Sequence, residues 1–174
     1  MKLSDAILAG IAGTTTFTLF SYIMTERTGK DYEQPELLGK MIDRTEIDLT
    51  KKESEYSGWL IHYLTGIIFA TVYKKILDLS SIKPGIKNGA ITGAITGLPA
   101  ILGWHTLLYL HPNPPRKKSW DYYAELVAGH IIFGATCFWV FNKRMINASR
   151  KPFTDLKNNP QLSQGKLAFE NMRK

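Results

Sequence analysis

The sequence predicts an all-α fold, a polytopic membrane bundle of four transmembrane helices. Four stretches of about 16 to 22 residues are almost free of charge, although the mean hydropathy of the chain is only −0.13. Nearly all charged side chains lie between or after these stretches. A soluble helix bundle needs a polar stripe on each outer helix face, and these stretches have none. An apolar helix of about 20 residues is long enough to cross a bilayer core.

The first two spans are predicted at about residues 6–24 and 57–77. The first contains no ionisable side chain except Tyr22. It is longer than the apolar core of a signal peptide, which has about 7–15 residues, so we predict an uncleaved span. The apolar run of the second ends at Tyr73 and is extended by Lys74 and Lys75, whose long side chains can reach the interface.

The last two spans are predicted at about residues 87–110 and 121–142. Pro99 lies inside the third, where proline removes a backbone donor and should kink the helix. Lys143 follows the fourth span directly, as expected at a membrane boundary. A transmembrane domain over residues 1–145 would thus be followed by a basic cytoplasmic tail over residues 146–174.

A short helix is predicted at about residues 35–45, before the second span. Pro35 suits the first position of a helix, because its missing N–H has no intrahelical partner there. Four apolar side chains share one face of this segment, namely Leu37, Leu38, Met41 and Ile42. The helix should therefore lie on the membrane surface as an interfacial helix, or cap the bundle.

Charge is distributed unequally between the two ends of the predicted bundle. The N-terminus, residues 74–88 and the tail carry a net charge of +9, whereas residues 25–57 and 111–125 carry −2. Because positively charged loops remain in the cytoplasm, both termini are predicted to be cytoplasmic. The scattered Lys and Arg residues show no nucleic-acid-binding pattern, so the expected partner is the lipid bilayer.

The second and fourth spans share the pattern His-x-x-x-Gly, at His62 and Gly66 and again at His130 and Gly134. The span before each of them is rich in glycine. This weak repeat suggests a duplicated two-helix hairpin, with a pseudo-twofold axis along the membrane normal.

Glycines in the third span follow each other at intervals of four, at Gly85, Gly89, Gly93 and Gly97. This spacing places them on one helix face, where another backbone can approach closely. Helix packing, together with Gly66 and Gly134, is the structural interpretation. The functional interpretation is that the glycines line a space that leaves room for a substrate.

Three histidines, His62, His105 and His130, lie inside different spans at similar predicted depths. Polar groups inside a membrane are costly, so such residues are candidates for function. Structural hydrogen bonding is one interpretation. A proton relay, a metal site or bis-histidine haem ligation are the others.

Glu125 lies near the start of the fourth span. It can pair with Arg116 or Lys117 on the same side, or act as a protonatable group beside the histidines. The sequence contains no catalytic constellation and no metal motif, and its one cysteine, Cys137, lies in an apolar span. Nothing in the sequence therefore argues for an enzyme, and we expect no cofactor unless the histidines bind a haem or a metal.

Three strings carry a resemblance to known proteins: PELLGKM at 35–41, GWLIHYLTGIIFA at 58–70 and AGHIIFG at 128–134. Together they make residues 6 to 142 resemble uncharacterised bacterial families of small four-span membrane proteins, catalogued as domains of unknown function. The resemblance implies the fold and a bacterial cytoplasmic (inner) membrane, and it implies no activity.

Two functions remain open at this point. A non-enzymatic bundle that packs with itself or with a partner membrane protein is favoured by the glycine face. The alternative is small-solute or proton-coupled transport, placed at the His and Glu side chains of the outer leaflet.

Overall fold

The computed structural model describes residues 2–115 and 120–158, with side chains as far as Ser149. This part of the chain is all-helical, with α1 at Leu3–Thr28, α2 at Gln34–Asp43, α3 at Lys51–Leu79, α4 at Ile86–Leu110 and α5 at Trp120–Asn158. The predicted all-α fold is confirmed. Four helices, all except α2, are long and apolar enough to cross a membrane.

Local sequence signals set several helix ends. Gly29 follows α1 with φ of 65°, a left-handed conformation that glycine adopts without strain. Thr50 and Glu53 form a reciprocal capping box at the start of α3. The fifth helix continues beyond the predicted end of the fourth span as far as Asn158, and residues 159–174 of the predicted tail lie outside the described residues.

The four long helices pack as two hairpins joined through α1 and α5. The first hairpin is α1 against α3, the second is α4 against α5, and α1 also packs along α5. The short helix α2 lies across the first part of α3. The end of the bundle at which α2 lies is called the α2 end below.

The two hairpins close through equivalent glycine contacts. In the first, a Cβ added at Gly10 would lie 2.7 Å from the Cα of Ile67, next to Gly66. In the second, a Cβ added at Gly134 would lie 2.9 Å from the Cα of Gly93. Each contact lies at or next to the glycine of a His-x-x-x-Gly pattern.

The symmetry of the two hairpins breaks at their junction. A strict twofold would pair α3 with α4 as closely as it pairs α1 with α5, yet α3 and α4 hardly approach each other. They meet near the end opposite α2, where the hydroxyls of Tyr73 and Thr96 lie 2.5 Å apart. Towards the α2 end they leave a gap.

The predicted interfacial helix caps the bundle. Leu37 and Met41 of α2 are buried, and the helix crosses α3 at a contact between Gly39 and Gly58. The ring Nε2 of His111, just after α4, lies 2.7 Å from the Met41 carbonyl oxygen. The helix α2 is therefore fixed to both sides of the gap.

Candidate functional site

The gap between α3 and α4 holds a cavity of about 250 Å³, called the histidine cavity below. Helices α1 and α5 form its floor, and Gln34 and Leu38 of α2 close it at the α2 end. The lining is mostly apolar and includes four aromatic side chains and two histidines: Phe17, Phe69, Trp104, Phe133, His62 and His130.

The mouth of the histidine cavity faces sideways, between two helices that the bilayer would surround. Its edges are Ile61 and Thr65 on α3 and Pro99, Gly103 and Leu107 on α4, all of them exposed. A Cβ added at Gly103 would meet no other atom within 4 Å. A molecule dissolved in the membrane could therefore enter between α3 and α4, past a mouth whose edge is apolar except for Thr65.

His62 is held by a chain of hydrogen bonds on α1. Its Nε2 lies 3.0 Å from the hydroxyl oxygen of Thr18, and that hydroxyl donates to the carbonyl oxygen of Thr14 at 2.8 Å. The ring also packs edge-on against Phe17, with 6.2 Å between ring centroids. These contacts fix the orientation of the imidazole.

His130 is held by its own helix and by aromatic rings. Its Nδ1 lies 2.9 Å from the carbonyl oxygen of Leu126, one turn earlier on α5. Phe17 and Phe69 pack edge-on against it at centroid distances of 5.2 and 5.4 Å. Phe17 therefore contacts both histidine rings.

Of the three candidate histidines, two line the histidine cavity, His62 and His130. His105 lies on an exposed face of α4 and is not among the residues that line the histidine cavity. The reason is angular, because α4 turns its small residues towards α5 and its opposite face outward. Histidines at equal depth in three helices therefore need not face the same side of the bundle.

Glu125 is buried at the α2 end, beside the histidine cavity. Its carboxylate accepts a hydrogen bond from the Ser21 hydroxyl at 2.5 Å and another from the Gln34 amide at 3.0 Å. The group thus joins α1, α2 and α5. Its predicted partners Arg116 and Lys117 lie outside the described residues.

The glycine ladder of α4 packs against α5. A Cβ at Gly93 would overlap the His130 carbonyl oxygen, and one at Gly97 would lie 3.2 Å from the Cα of Val127. Gly89 contacts the Gly134 carbonyl in the same way. Gly85 does not belong to this contact surface, because it is the N-cap of α4 and a Cβ there would meet nothing within 4 Å.

An acidic cluster lies between α1 and α2, outside the spans. Carboxylate oxygens of Asp31, Glu33 and Glu36 lie within 4.8 Å of one another, close enough to hold a cation. Lys40 already pairs with Asp31 at 3.2 Å and with Glu36 at 3.6 Å. Burial, with a smaller contribution from the Glu36 carboxylate, raises the pKa of Glu33 to about 7.

Several residues of the site were not predicted from the sequence. Thr14, Thr18 and Ser21 follow one face of α1 at intervals of four and three, and this polar stripe in an apolar span was the available signal. Gln34 and Trp104 gave no such signal, because each reaches the site only through tertiary packing.

No family model, curated protein or solved structure matches this chain. The interpretation of the histidine cavity below depends on its own geometry and chemistry.

Proposed function

We propose that the protein is a multi-pass membrane protein that takes a small solute of low polarity from the bilayer into the histidine cavity. The observation that carries this proposal is the lateral opening of the cavity between α3 and α4, with His62 and His130 inside it. Binding of this kind is the first step of transport or permeation for such a solute.

The lining determines what kind of solute fits. Apolar and aromatic side chains favour an apolar body, and a few polar groups orient it, as in most small-molecule sites. An apolar cavity of about 150 Å³ holds benzene, and this one measures about 250 Å³. The expected solute therefore has one substituted ring or a short chain, with a single polar group.

The packing alternative loses its main argument in this structure. In the sequence, the glycine face of α4 favoured association with another copy or a partner protein. In the structure, this face packs within the same chain, because Gly89, Gly93 and Gly97 contact α5. A close backbone approach by a second protein would need another surface. The proposal includes no haem or metal.

We propose a bacterial cytoplasmic membrane as the location, supported by the resemblance of residues 6–142 to bacterial four-span families. The positive end of the bundle would be cytoplasmic. Cysteine labelling in intact cells tests the orientation, since the native Cys137 is buried. A reporter at the exposed Glu46 should react with an impermeant maleimide, and one at Ser81 should not. The reverse pattern would refute the orientation.

Binding of two single-ring probes tests the proposed function. Wild-type protein in nanodiscs is titrated with para-propylphenol and para-propylanisole, and ligand occupancy is measured by native mass spectrometry. We expect saturable binding of one molecule per chain. The variant Gly103→Trp should reduce it, because the indole enters the open space at the mouth.

The matched control is Gly85→Trp, on the same helix. It also meets open space, but it lies at the N-cap, outside the cavity lining. This variant should bind both probes as the wild type does. Absence of saturable binding, or equal binding by Gly103→Trp and the wild type, would overturn the proposal.

A further inference from the structure

The hydrogen bonds around His62 determine which ring nitrogen carries the proton. The Thr18 hydroxyl has one hydrogen and two neighbours that can accept it, the Thr14 carbonyl oxygen at 2.8 Å and Nε2 of His62 at 3.0 Å. The shorter contact, to a carbonyl that can only accept, favours donation to Thr14. With its hydrogen on the Thr14 carbonyl, the hydroxyl can only accept from His62. In this arrangement Nε2 of His62 carries the hydrogen, and Nδ1 of the neutral ring is a lone-pair acceptor.

In His130 the roles of the two ring nitrogens are reversed, so that Nδ1 donates and Nε2 accepts. A carbonyl oxygen can only accept, so Nδ1 of His130 donates to Leu126 at 2.9 Å. Nε2 is then the acceptor of the neutral ring. None of the described residues forms a hydrogen bond with Nε2 of His130 or with Nδ1 of His62.

Both rings are expected to be neutral in this setting. The described residues that line the cavity include no carboxylate. Glu125, the nearest acid on α5, accepts from Ser21 and Gln34. A buried charge without a partner is very costly, so an imidazolium would have no compensation in this cavity.

The remaining polar groups of the lining narrow the choice further. The Gln34 amide donates to Glu125. The buried Thr14 hydroxyl has no hydrogen-bond partner among the described residues, and Thr65 adds a second hydroxyl at the mouth, so both can donate to a ligand or accept from it. Trp104 brings an indole N–H, which can only donate. A ligand hydroxyl donates through its hydrogen and accepts at its oxygen, so it is complementary to both kinds of group.

Resting on the function proposed above, we infer that the histidine cavity selects an uncharged phenol or quinol, a compound whose hydroxyl is attached directly to an aromatic ring. The ring would lie among Phe17, Phe69 and Trp104, since aromatic side chains pack favourably against flat rings in edge-to-face or offset geometry. Its hydroxyl would donate to the free nitrogen of His62 or His130.

Comparison of the two probes measures how much the donated hydrogen bond contributes to binding. Para-propylanisole keeps the ring and the oxygen of para-propylphenol but carries a methyl group in place of the hydroxyl hydrogen, so it cannot donate a hydrogen bond. The histidine variants below separate the loss of the donor from the added volume of the methyl group. We expect the phenol to bind wild-type protein about 3- to 10-fold more tightly, the usual net value of one hydrogen bond. Affinities are referred to probe concentration within the bilayer, so that partitioning cancels.

Variants then assign the preference to the two histidines. The double variant His62→Phe/His130→Phe should bind both probes equally, because neither ring offers an acceptor. His105→Phe is the control, since His105 is exposed on α4, and it should keep the wild-type ratio. If the double variant fails to fold, the two-probe comparison on wild-type protein decides.

The outcomes separate this inference from the function on which it rests. Saturable binding of both probes with equal affinity would overturn the hydroxyl selectivity and leave the membrane solute site intact. Binding of neither probe would overturn both. A phenol preference that persists in the double variant would show that the donor is recognised elsewhere, which also overturns the inference.

Discussion

Replacement of Gly93 by alanine should disrupt the contact between α4 and α5. The added Cβ would overlap the His130 carbonyl oxygen and lie 2.9 Å from the Cα of Ile131. Both are backbone atoms, which cannot rotate aside as a side chain can. Overpacking of this kind costs about 1–3 kcal/mol, so we expect the melting temperature to fall by about 2–12 °C.

Gly103→Ala is the matched control on the same helix. Its Cβ meets nothing within 4 Å, and alanine favours the helix over glycine by about 0.5–1 kcal/mol. This variant should therefore be as stable as the wild type or slightly more so. Thermal unfolding of both variants in the same nanodiscs provides the comparison. Equal stability of the two variants would refute the packing assigned to the glycine ladder.

Three further predictions concern polar groups at the helix contacts, each measured by unfolding in nanodiscs. Burial raises the pKa of Glu33 from 4.5 to about 7, so the folded state loses stability as the pH rises through this interval. The variant Glu33→Gln should therefore be more stable than the wild type by about 1–3 kcal/mol at pH 8 and almost equally stable below pH 4.5. A gain in stability that does not depend on pH would contradict this prediction. Tyr73→Phe removes the hydroxyl contact with Thr96 and should cost about 0.5–1.5 kcal/mol, so unchanged stability would exclude it as a clamp between α3 and α4. Glu125→Leu leaves the buried Gln34 amide without its acceptor and should cost about 1–3 kcal/mol; a neutral result would mean that this amide finds another partner.

The fold was largely predictable because membrane spans depend on length and composition. Four uncharged stretches sufficed for the four long helices, and Pro35 marked the first turn of α2. The intervals of four between Gly89, Gly93 and Gly97 also predicted a close contact. Such features are local, since each follows from a few neighbouring residues.

The site was only partly predictable because it depends on how each helix is rotated about its own axis and on which helices pack against each other. Hydropathy does not show which face of α4 turns inward, so the sequence did not show that His105 is exposed while His62 and His130 line the cavity. Nothing in the sequence shows that α1 meets α5 closely while α3 and α4 separate. The histidine cavity results from that asymmetry.

Photolabelling in bilayers tests the central claim most directly, namely that a bilayer-soluble molecule occupies the histidine cavity. The probe is trifluoromethyl phenyl diazirine, a small apolar single-ring photolabel, and labelled residues are mapped by peptide mass spectrometry. We predict labelling of Phe17, Phe69 and Trp104 that excess para-propylphenol suppresses. Labelling confined to lipid-facing residues such as Ile95 and Leu98, unaffected by the competitor, would contradict the account.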